Sequence, residues 1–551
     1  MSARPLLAAA LTLIAPLAAH PGQAADSDQA IVATIDKHIQ SGWGDFEVQP
    51  SARADDYEFA RRVSLDVIGR IPTYGELREF VDDKSDDRRT KFVNGLLDDD
   101  GYVKNWTTIW GNLLVGRGGN GRGALDRWLR RRIYENKAYN KFVHELVSAE
   151  GSSDENGAVA FLASHLNDGA VPATSVTARL FLGLQVQCTQ CHNHPFNDWQ
   201  QSQFWGMNSF FTGTRRNNTG GQLSLVDQPS EALVFYEKRN GIRQAVFRRF
   251  VDGTIAPLND TEKPRKQLAD LITTSTQPYL AQAQVNRLWG RFFGHAFTRP
   301  ADDMGPHNPP THPELLEYLA AQFQQSGYDV KRLIRWIAAS EAYNLTSRTI
   351  PENEDNNPSA GDSPAFASMY VKQFTAEQLY DSLIVATDAH KSGRSAEAAE
   401  NQRRAWLTQF IRTFGTDDYV ASTTFEGSIP RALTLMNGQV VQSGVNGGRG
   451  GLLQRVLASR TGELTESAEK PKRRARPLST QARQRAARAR AKTIPKRIET
   501  LYLLALSRPP TDEELTAFSK IYEENSVRDP VAGLQDVFWA LLNSNEFISN
   551  H

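Results

Sequence analysis

The spacing of apolar and polar residues follows a helical period along most of the chain. Apolar side chains recur three and four positions apart over residues 29–41 and again over 55–69, where the pattern ends before Pro72. Thr73 and Glu76 have the spacing of a capping box, which predicts that another helix begins there. Further helices are predicted over 86–98, 102–114, 124–134, 139–148, 174–186, 282–293, 312–326, 330–342, 374–388, 399–413, 429–443, 450–458, 496–507, 511–525 and 530–547. The pattern therefore predicts a mainly α, multi-helical fold.

Strand-like segments are concentrated near the middle of the chain. Residues 221–256 contain two apolar runs on either side of Asn240-Gly241, a dipeptide typical of a tight hairpin turn. A small β-hairpin is therefore predicted within an otherwise helical protein. The glycine-rich residues 116–123 lack the Gly-Lys-Ser/Thr ending of a phosphate-binding loop, so they are interpreted as a linker between two helices. Residues 352–364 are predicted to form a surface loop.

The amino terminus has the pattern of a secretory signal peptide. Arg4 precedes an apolar run at residues 6–19, which is shorter than the roughly 20 residues of a membrane-spanning helix. Gly22 and Ala24 then place small residues at positions −3 and −1 of a cleavage point. The pattern predicts that residues 1–25 are removed and that the mature protein is periplasmic or secreted. No integral membrane segment is predicted in the mature chain.

The charge of the chain is balanced overall but unevenly distributed. With 63 basic and 63 acidic residues, the net charge favours neither nucleic acid nor a membrane surface as a partner. Residues 470–497, however, carry twelve basic residues and no acidic one. Such a run predicts an exposed, mobile loop inserted at about 462–495, with a basic helix that forms on contact with an acidic partner as the alternative.

The two cysteines of the chain, Cys188 and Cys191, are followed at once by His192. Cys-x-x-Cys-His is the attachment signature of c-type haem. Two thiols about one helical turn apart can each form a thioether with one vinyl group of the same porphyrin, and the adjacent histidine then binds the iron. Covalent attachment follows export, which agrees with the signal peptide. The motif predicts haem c as the cofactor, with Cys188 and Cys191 as thioether residues and His192 as the axial ligand.

Three other roles for the two cysteines stay open. Exported cysteines tend to be oxidised, so a disulfide is the structural alternative, although so short a loop gains little stability. A redox-active dithiol would lack the βαβ pattern of a thioredoxin-like domain. A zinc site could use both cysteines with His192 or His194, although zinc thiolates are less common in an oxidising compartment.

A distal ligand decides whether a haem iron would carry electrons or bind small molecules. Met207, fifteen residues after His192 in an apolar segment, is the candidate distal ligand, with packing in the core as the alternative. His194 follows His192 too closely to reach the opposite face of the same iron. It is therefore predicted to form a hydrogen bond beside the site, or to be an alternative metal ligand. The role of His165 is equally open.

A second group of polar residues lies further along the chain, on and around a proline-rich loop. Its members are Asn286, Arg287, Asp302, Asp303, His307 and His312. The group forms either a substrate or metal pocket, or a salt-bridged junction between a helix and a loop. Thr311 before Pro313 has the pattern of a helix N-cap, which explains part of the group without a ligand. No nucleophile or general base is identified, so whether the protein is an enzyme stays open.

Several long motifs resemble known families. The runs "EFARRVSLDVIGRIPTYGELREFV" and "LFLGLQVQCTQCHNHPFNDW" resemble the PSCyt-type domain, a cytochrome-associated family of unknown function that is abundant in planctomycete bacteria. "QVNRLWGRFFGHAFTRPADDMG" and "LYLLALSRPPTDEEL" are similar to the PSD-type domain that usually follows it. The resemblance implies exported proteins with a c-type-haem-like motif and no established activity. It divides the chain into a PSCyt-like domain (26–213), a β-containing connector (214–262) and a PSD-like domain (263–551).

These observations leave two main classes of function. The first is an exported c-type haem protein that transfers electrons to an unknown redox partner, or serves as the haem-bearing accessory of a periplasmic oxidoreductase or surface-polymer pathway. The second is a non-haem periplasmic scaffold or binding protein whose Cys-x-x-Cys-His-x-His segment binds another metal or forms a disulfide. An enzyme acting at a pocket in the PSD-like half is a third hypothesis, and it rests on the polar group alone.

Overall fold

The computed structural model describes most of the chain in detail. The described residues are 26–195, 198–219, 222–228, 233–257, 263–387, 395–414, 441–442, 445, 451–459, 461–464, 480–526 and 529–551. The predicted signal peptide, nearly all of the helix predicted over 429–443, and residues 470–479 of the basic segment lie outside them. Within the described part of the chain, no helix has the length and apolar character needed to cross a membrane.

The amino-terminal part is a series of helices joined by short turns. They are α1 (Asp28–Asp45), α2 (Asp56–Ile68), α3 (Tyr74–Asp82), α4 (Arg88–Asp98), α5 (Asp100–Val115), α6 (Arg122–Tyr134) and α7 (Tyr139–Val147). The predicted capping box is present, because the Thr73 hydroxyl accepts from the Glu76 amide and the Glu76 carboxylate accepts from the Thr73 amide. The glycine-rich linker joins α5 to α6, as predicted.

Short helices and strands follow. The helices are α8 (Val159–Ala163), α9 (Val171–Thr177) and α10 (Gln201–Asn208), and the strands are β1 (Gly151–Ser152), β2 (Thr214–Thr219), β3 (Gln222–Asp227), β4 (Leu233–Glu237) and β5 (Arg243–Phe247). The first three strands form an antiparallel sheet in the order β1-β3-β2. β4 and β5 form the predicted hairpin, and Gly241 in its turn has a φ of 79°. The fold class, mainly α with small β elements, is confirmed.

The described residues from 264 onward are again mostly helical. It contains α11 (Pro264–Thr274), α12 (Tyr279–Phe293), α13 (Pro313–Gln325), α14 (Val330–Ala339), α15 (Ala376–Ala386), α16 (Ala396–Phe414), α17 (Leu452–Ala458), α18 (Thr480–Leu506), α19 (Asp512–Asn525) and α20 (Pro530–Leu542), with the antiparallel pair β6 (Lys372–Gln373) and β7 (Ser549–Asn550). The N-cap of α13 is His312 and not Thr311, and its side chain makes no capping hydrogen bond.

The basic segment departs from its predicted secondary structure. α18 begins at Thr480, whereas the pattern of apolar residues placed its start at residue 496. Part of the segment predicted as an exposed loop is therefore helical. The reason is composition, since residues 480–492 are mostly alanine, arginine, glutamine and lysine, which are among the strongest helix formers.

Among the residues that the structure describes, buried apolar side chains form two cores. The first is built from residues between Ile31 and Met369, together with Leu503. The second is built from residues between Phe374 and Phe547, together with Leu65 and Ile71 from the amino-terminal part. The first core thus extends across the predicted connector, and the division between the cores falls after Met369. The domain boundaries given above remain predictions.

A buried charged network joins the two halves of the chain. Asp66 on α2 accepts from Lys372 Nζ at 2.6 Å, from the Tyr343 hydroxyl at 2.7 Å and from Asn550 Nδ2 at 2.9 Å. Arg62, one turn earlier on α2, is fully buried and donates to the Tyr343 carbonyl at 2.7 Å. Since the partners of α2 come from β6, β7 and the turn after α14, the network fixes the amino-terminal helices to the carboxyl-terminal part.

Candidate site at the Cys-x-x-Cys-His turn

The chain enters the cysteine-bearing turn through an irregular helix end. α9 continues as a π-helix over Ala178–Leu182, which ends at Gly183 with a φ of 68°. A Cβ at Gly183 would lie 2.5 Å from Met304 Cε, and the Met304 amide donates to the Gly183 carbonyl at 2.6 Å. Glycine is needed here both for its left-handed conformation and for this close approach. The helix predicted over 174–186 therefore ends earlier than expected.

The two cysteines flank a buried residue on a 3₁₀ turn. The turn spans Gln187–Gln190, and Thr189 within it is 1% exposed, with its hydroxyl donating to the Val186 carbonyl at 2.6 Å. Cys188 precedes this anchor, Cys191 follows it, and both are exposed free thiols. Burial of Thr189 therefore leaves both thiols on the solvent side of the turn.

The turn is attached to α10 and to the β4–β5 hairpin. The Gln190 carbonyl accepts from Gln201 Nε2 and from Trp205 Nε1, each at 3.1 Å. Gln201 Nε2 also donates to the Glu237 carbonyl at the end of β4, at 3.0 Å. Trp205 stacks on Tyr236, with 6.3 Å between the ring centroids. These contacts hold the backbone of the turn in place while its thiols remain exposed.

His192 has the tautomer that a metal ligand needs. Its Nδ1 lies 2.6 Å from the Asn193 carbonyl oxygen, and it must donate because a carbonyl can only accept. In the neutral ring the lone pair is then on Nε2, as in metal-binding histidines whose other nitrogen bonds a backbone carbonyl. The Asn193 side chain is itself fixed, since its Oδ1 accepts the Gln201 amide at 3.0 Å. Cysteine and histidine are ligand types that both haem c and zinc use, so the residue types of the turn leave both hypotheses open.

A loop from the second half of the chain packs against this segment. In the loop over residues 299–308, Asp302 Oδ1 accepts from Gln185 Nε2 at 3.3 Å. The rings of His307 and His194 lie 5.2 Å apart, measured between their centroids. Two polar groups that are distant in the sequence therefore lie next to each other.

Residues of the loop orient the His307 ring, and the charge of His307 lowers the pKa of His194. His307 Nε2 donates to Asp303 Oδ2 at 3.2 Å, while Asn308 Nδ2 donates to the Asp303 backbone carbonyl at 2.7 Å. Burial lowers the pKa of His194; the positive charges of His307 and His192 lower it further, and Asp303 opposes them. His194 is therefore neutral over a wider range of pH than an ordinary histidine.

The other members of the predicted polar group have structural partners. Asn286 is fully buried, and its Nδ2 donates to the Thr298 hydroxyl at 2.8 Å. Arg287 donates to the Leu180 carbonyl at 2.7 Å. His312 is buried next to aromatic rings, and this burial lowers its pKa to about 4. These three residues belong to the packing of helices and loops, whereas Asp302, Asp303 and His307 border the cysteine-bearing segment.

The remaining candidate ligands are less accessible than the cysteines. Met207, on α10, is fully buried in the first core. His165 donates through Nε2 to the Leu114 carbonyl at 2.8 Å, and burial lowers its pKa. Among the residues that the structure describes, no group of three or more His, Cys, Asp or Glu side chains is placed to hold a metal ion. Met207 as a distal ligand stays a prediction.

Fold and site together define a mainly α-helical protein whose exposed cysteine turn is bordered by a loop from a second helical region. Residues 34–216 match PSCyt2, described as a protein of unknown function (DUF1549), and residues 264–522 match PSD1, described as a protein of unknown function (DUF1553). The chain therefore carries a PSCyt2 domain followed by a PSD1 domain, in the order that its motifs predicted. No curated protein and no solved structure matches the chain.

Proposed function

We propose that the protein is an exported c-type haem protein in which Cys188, Cys191 and His192 hold the cofactor. The proposal rests on the exposure of the two thiols and on the tautomer of the histidine that follows them. Both thiols are exposed on either side of the buried Thr189, and the adjacent imidazole has its lone pair on Nε2. This is the donor set that covalent attachment of a porphyrin and axial ligation of its iron require.

Each residue of the turn has a defined part in this proposal. Cys188 and Cys191 would hold the haem through thioether bonds, and His192 would bind its iron through Nε2. The Asn193 carbonyl holds the His192 ring in the correct tautomer, and the buried Thr189 keeps the turn closed. A bound c-type haem supplies a reversible one-electron change at iron.

Exposure of the turn favours electron transfer as the role of the haem. Both attachment residues lie at the surface, so part of the porphyrin edge would be accessible to a partner protein. The protein would transfer electrons itself, or serve as the haem-bearing accessory of a periplasmic oxidoreductase or surface-polymer pathway. Export is supported by the pattern of residues 1–25, since haem c is attached after export. Amino-terminal sequencing of exported protein is expected to find Ala25 or Asp26, and an intact Met1 would contradict export.

The test of cofactor attachment is acidic organic extraction of protein expressed, with its own amino terminus, in a bacterial host that attaches haem c. Haem bound through thioethers stays with the polypeptide, whereas zinc or a dissociable b-type haem is extracted. Cys188→Ala and Cys191→Ala should each leave at most one thioether, and the double variant none. His144→Ala is a matched control, because His144 bonds Asp270 outside the cysteine turn, and it should retain the haem content of the wild type.

The same preparation distinguishes a c-type haem protein from a non-haem scaffold. Colourless protein from a host competent in haem attachment would contradict the proposal. If that protein carries stoichiometric zinc or an intact Cys188–Cys191 disulfide, the non-haem scaffold takes its place. His192→Ala separates the two further, because it should change the coordination spectrum of a haem protein while covalent attachment partly survives.

A further inference from the structure

The β4–β5 hairpin packs against the protein with one face and leaves the other accessible. Successive side chains of a strand point to opposite faces. On the inner face Tyr236 and Val246 are buried, and the Tyr236 ring stacks on Trp205 of α10. Phe235 and Phe247 alternate with these residues and lie on the outer face. The hairpin is therefore held in place by its inner face, while two aromatic rings stand on its outer face.

Three apolar side chains of the hairpin are exposed to solvent. The exposed fraction is 53% for Phe235, 56% for Ile242 in the turn, and 45% for Phe247. We call these three residues the apolar group. One exposed apolar side chain is ordinary on a protein surface, whereas several on one small element mark an interaction surface.

The turn between the two strands adds a local excess of positive charge. Three cations lie there, which we call the basic group: Lys238, Arg239 and Arg243. Glu237 is the one carboxylate within residues 233–247. Among the residues that the structure describes, none forms an ion pair with a member of the basic group. Arg243 lies over the ring of Phe235, with 5.6 Å between its Cζ and the ring centroid, so basic and apolar side chains adjoin.

We propose that the β4–β5 hairpin attaches the protein to the surface of a bilayer that contains anionic lipid. The apolar group enters the boundary between headgroups and acyl chains, and the basic group stays at the level of the phosphates. Exposed apolar side chains beside Lys and Arg are the pattern of segments that bind in a membrane interface. The inference goes beyond the proposed function and does not require haem.

The charge of the hairpin determines the kind of lipid. The chain as a whole has no net charge, so attraction to an anionic bilayer has to come from a local group of cations. Each Lys or Arg near such a surface strengthens binding about fivefold, so the basic group accounts for about a hundredfold. The hairpin is already fixed by the stacking of Tyr236 on Trp205, and binding therefore costs little ordering.

A bilayer fits this surface better than a protein partner does. The hairpin has five residue pairs, so its outer face is about 17 Å long and two strands wide. That is narrow for a stable protein interface, which buries about 800 Å² on each side. A second copy of the chain would also bring two basic groups into one interface, where they repel each other. A fluid bilayer accepts the apolar side chains singly and supplies the missing negative charge.

Attachment through the hairpin would also bring the cysteine turn close to the membrane surface. Gln201 Nε2 donates to the Gln190 carbonyl at 3.1 Å and to the Glu237 carbonyl at 3.0 Å. Since Glu237 immediately precedes the basic group, one side chain joins the two surface features. If the proposed function also holds, its redox partner is one that is reached at the membrane surface.

Vesicle sedimentation tests the proposal. The mature protein is used, because the apolar run at residues 6–19 would itself bind lipid. It should sediment with vesicles of equal parts phosphatidylglycerol and phosphatidylcholine, and much less with phosphatidylcholine alone. Binding should weaken in about 1 M salt, where the screening length falls to about 3 Å. Absence of binding to the anionic vesicles, or equal binding to both kinds, would overturn the proposal.

Replacing the basic group with glutamine should weaken binding to the anionic vesicles by about a hundredfold. The matched control removes the same charge from the exposed, unpaired arginines of α6, as Arg127→Gln/Arg130→Gln/Arg131→Gln, and should bind as the wild type does. Equal losses in the two triple variants would mean that the hairpin is not the attachment point. Urea unfolding establishes that each variant is folded.

The apolar group is tested separately. Phe235→Ser should weaken binding by about fivefold to tenfold, because half of an exposed aromatic side chain is no longer buried in lipid. Tyr134→Ser is the control, since Tyr134 is an exposed aromatic residue on α6. If Phe235→Ser does not fold, the glutamine variants of the basic group decide, because those side chains lie at the surface. Wild-type affinity in folded Phe235→Ser would contradict insertion of the apolar group.

Two measurements distinguish other occupants of the same surface. Sedimentation velocity without lipid should show no dimer that Phe235→Ser disrupts; such a dimer would assign the face to a second copy and overturn the proposal. Binding to polyglutamate but not to the anionic vesicles would assign it to an acidic protein, with the same consequence. Hydrogen–deuterium exchange on the vesicles should slow within residues 233–247 and not within 122–134. The reverse pattern would place the attachment on α6.

Discussion

Removal of the Asp66 carboxylate is expected to destabilise the whole protein, because this side chain joins the two domains. Asp66 belongs to α2 in the PSCyt2 domain, while Lys372 and Tyr343 belong to the PSD1 domain. The carboxylate is 3% exposed and Lys372 is 6% exposed, so neither charge is well solvated. Asp66→Ala leaves the ammonium group of Lys372 buried without its counter-ion.

The expected loss follows from the groups left without a partner. Removing one member of a buried ion pair costs about 3–5 kcal/mol, because the remaining charge is uncompensated. Lys372 Nζ keeps two backbone carbonyl acceptors at 3.0 and 2.5 Å, which places the electrostatic loss toward the lower end of that range. Tyr343 and Asn550 also lose their acceptor, at about 1 kcal/mol each. Asp66→Ala should therefore cost roughly 5 kcal/mol.

Urea unfolding measures this loss through the shift in midpoint at unchanged slope. Asp82→Ala is the control, because the Asp82 side chain is 63% exposed and its ion pair with Arg78 should be worth no more than about 1 kcal/mol. The double variant Asp66→Asn/Lys372→Met should cost less than the two single variants together, since no isolated charge remains. If Asp66→Ala costs no more than Asp82→Ala, the network does not join the domains as described.

Two further predictions concern the site and the response to acid. Gly183→Ala should lower the free energy of unfolding by about 1–2 kcal/mol, because alanine is strained in this left-handed conformation. The clash of the new Cβ with Met304 should lower it further. This second loss should disappear when Gly183→Ala is combined with Met304→Ala, as measured by the same urea unfolding. Burial lowers the folded-state pKa of His312 from 6.5 to about 4, so the unfolded chain takes up a proton first as the pH falls. The contribution of neutral His312 to the free energy of unfolding is therefore fully present above pH 6.5. It is lost between pH 6.5 and 4, by up to about 3 kcal/mol. Unfolding measured across that range should show a shallower loss in His312→Leu, and an unchanged slope would contradict this assignment.

The helices could be predicted because their signals are local. A helical period of apolar residues gave α1 to α7, and the Thr73–Glu76 capping box marked the start of α3. The β4–β5 hairpin was predicted because Asn240-Gly241 separates two apolar runs. β2 was missed because its sequence, TRRNNT, has no apolar alternation and becomes a strand only by pairing with β3. The helical start of α18 was missed because a charge run was weighted above the helix propensity of its residues.

The candidate site could be predicted only in part. The types and spacing of Cys188, Cys191 and His192 predict haem attachment without any structure, and this attachment stays a prediction. The approach of the 299–308 loop could not be inferred, because it depends on tertiary contacts between distant segments. Gly183 was the one local signal of this junction, since a glycine at a helix end permits both a left-handed residue and the close approach of Met304.

Covalent attachment of haem to the turn is the central claim, and peptide mass spectrometry tests it most directly. Protein exported by a host that attaches haem c is digested, and the peptide containing Cys188, Cys191 and His192 is isolated and fragmented. We predict that this peptide carries one haem in thioether linkage to both cysteines, and that the intact protein exceeds the mature polypeptide by the mass of one haem. Unmodified cysteines in that peptide, or a disulfide between them, would contradict the account.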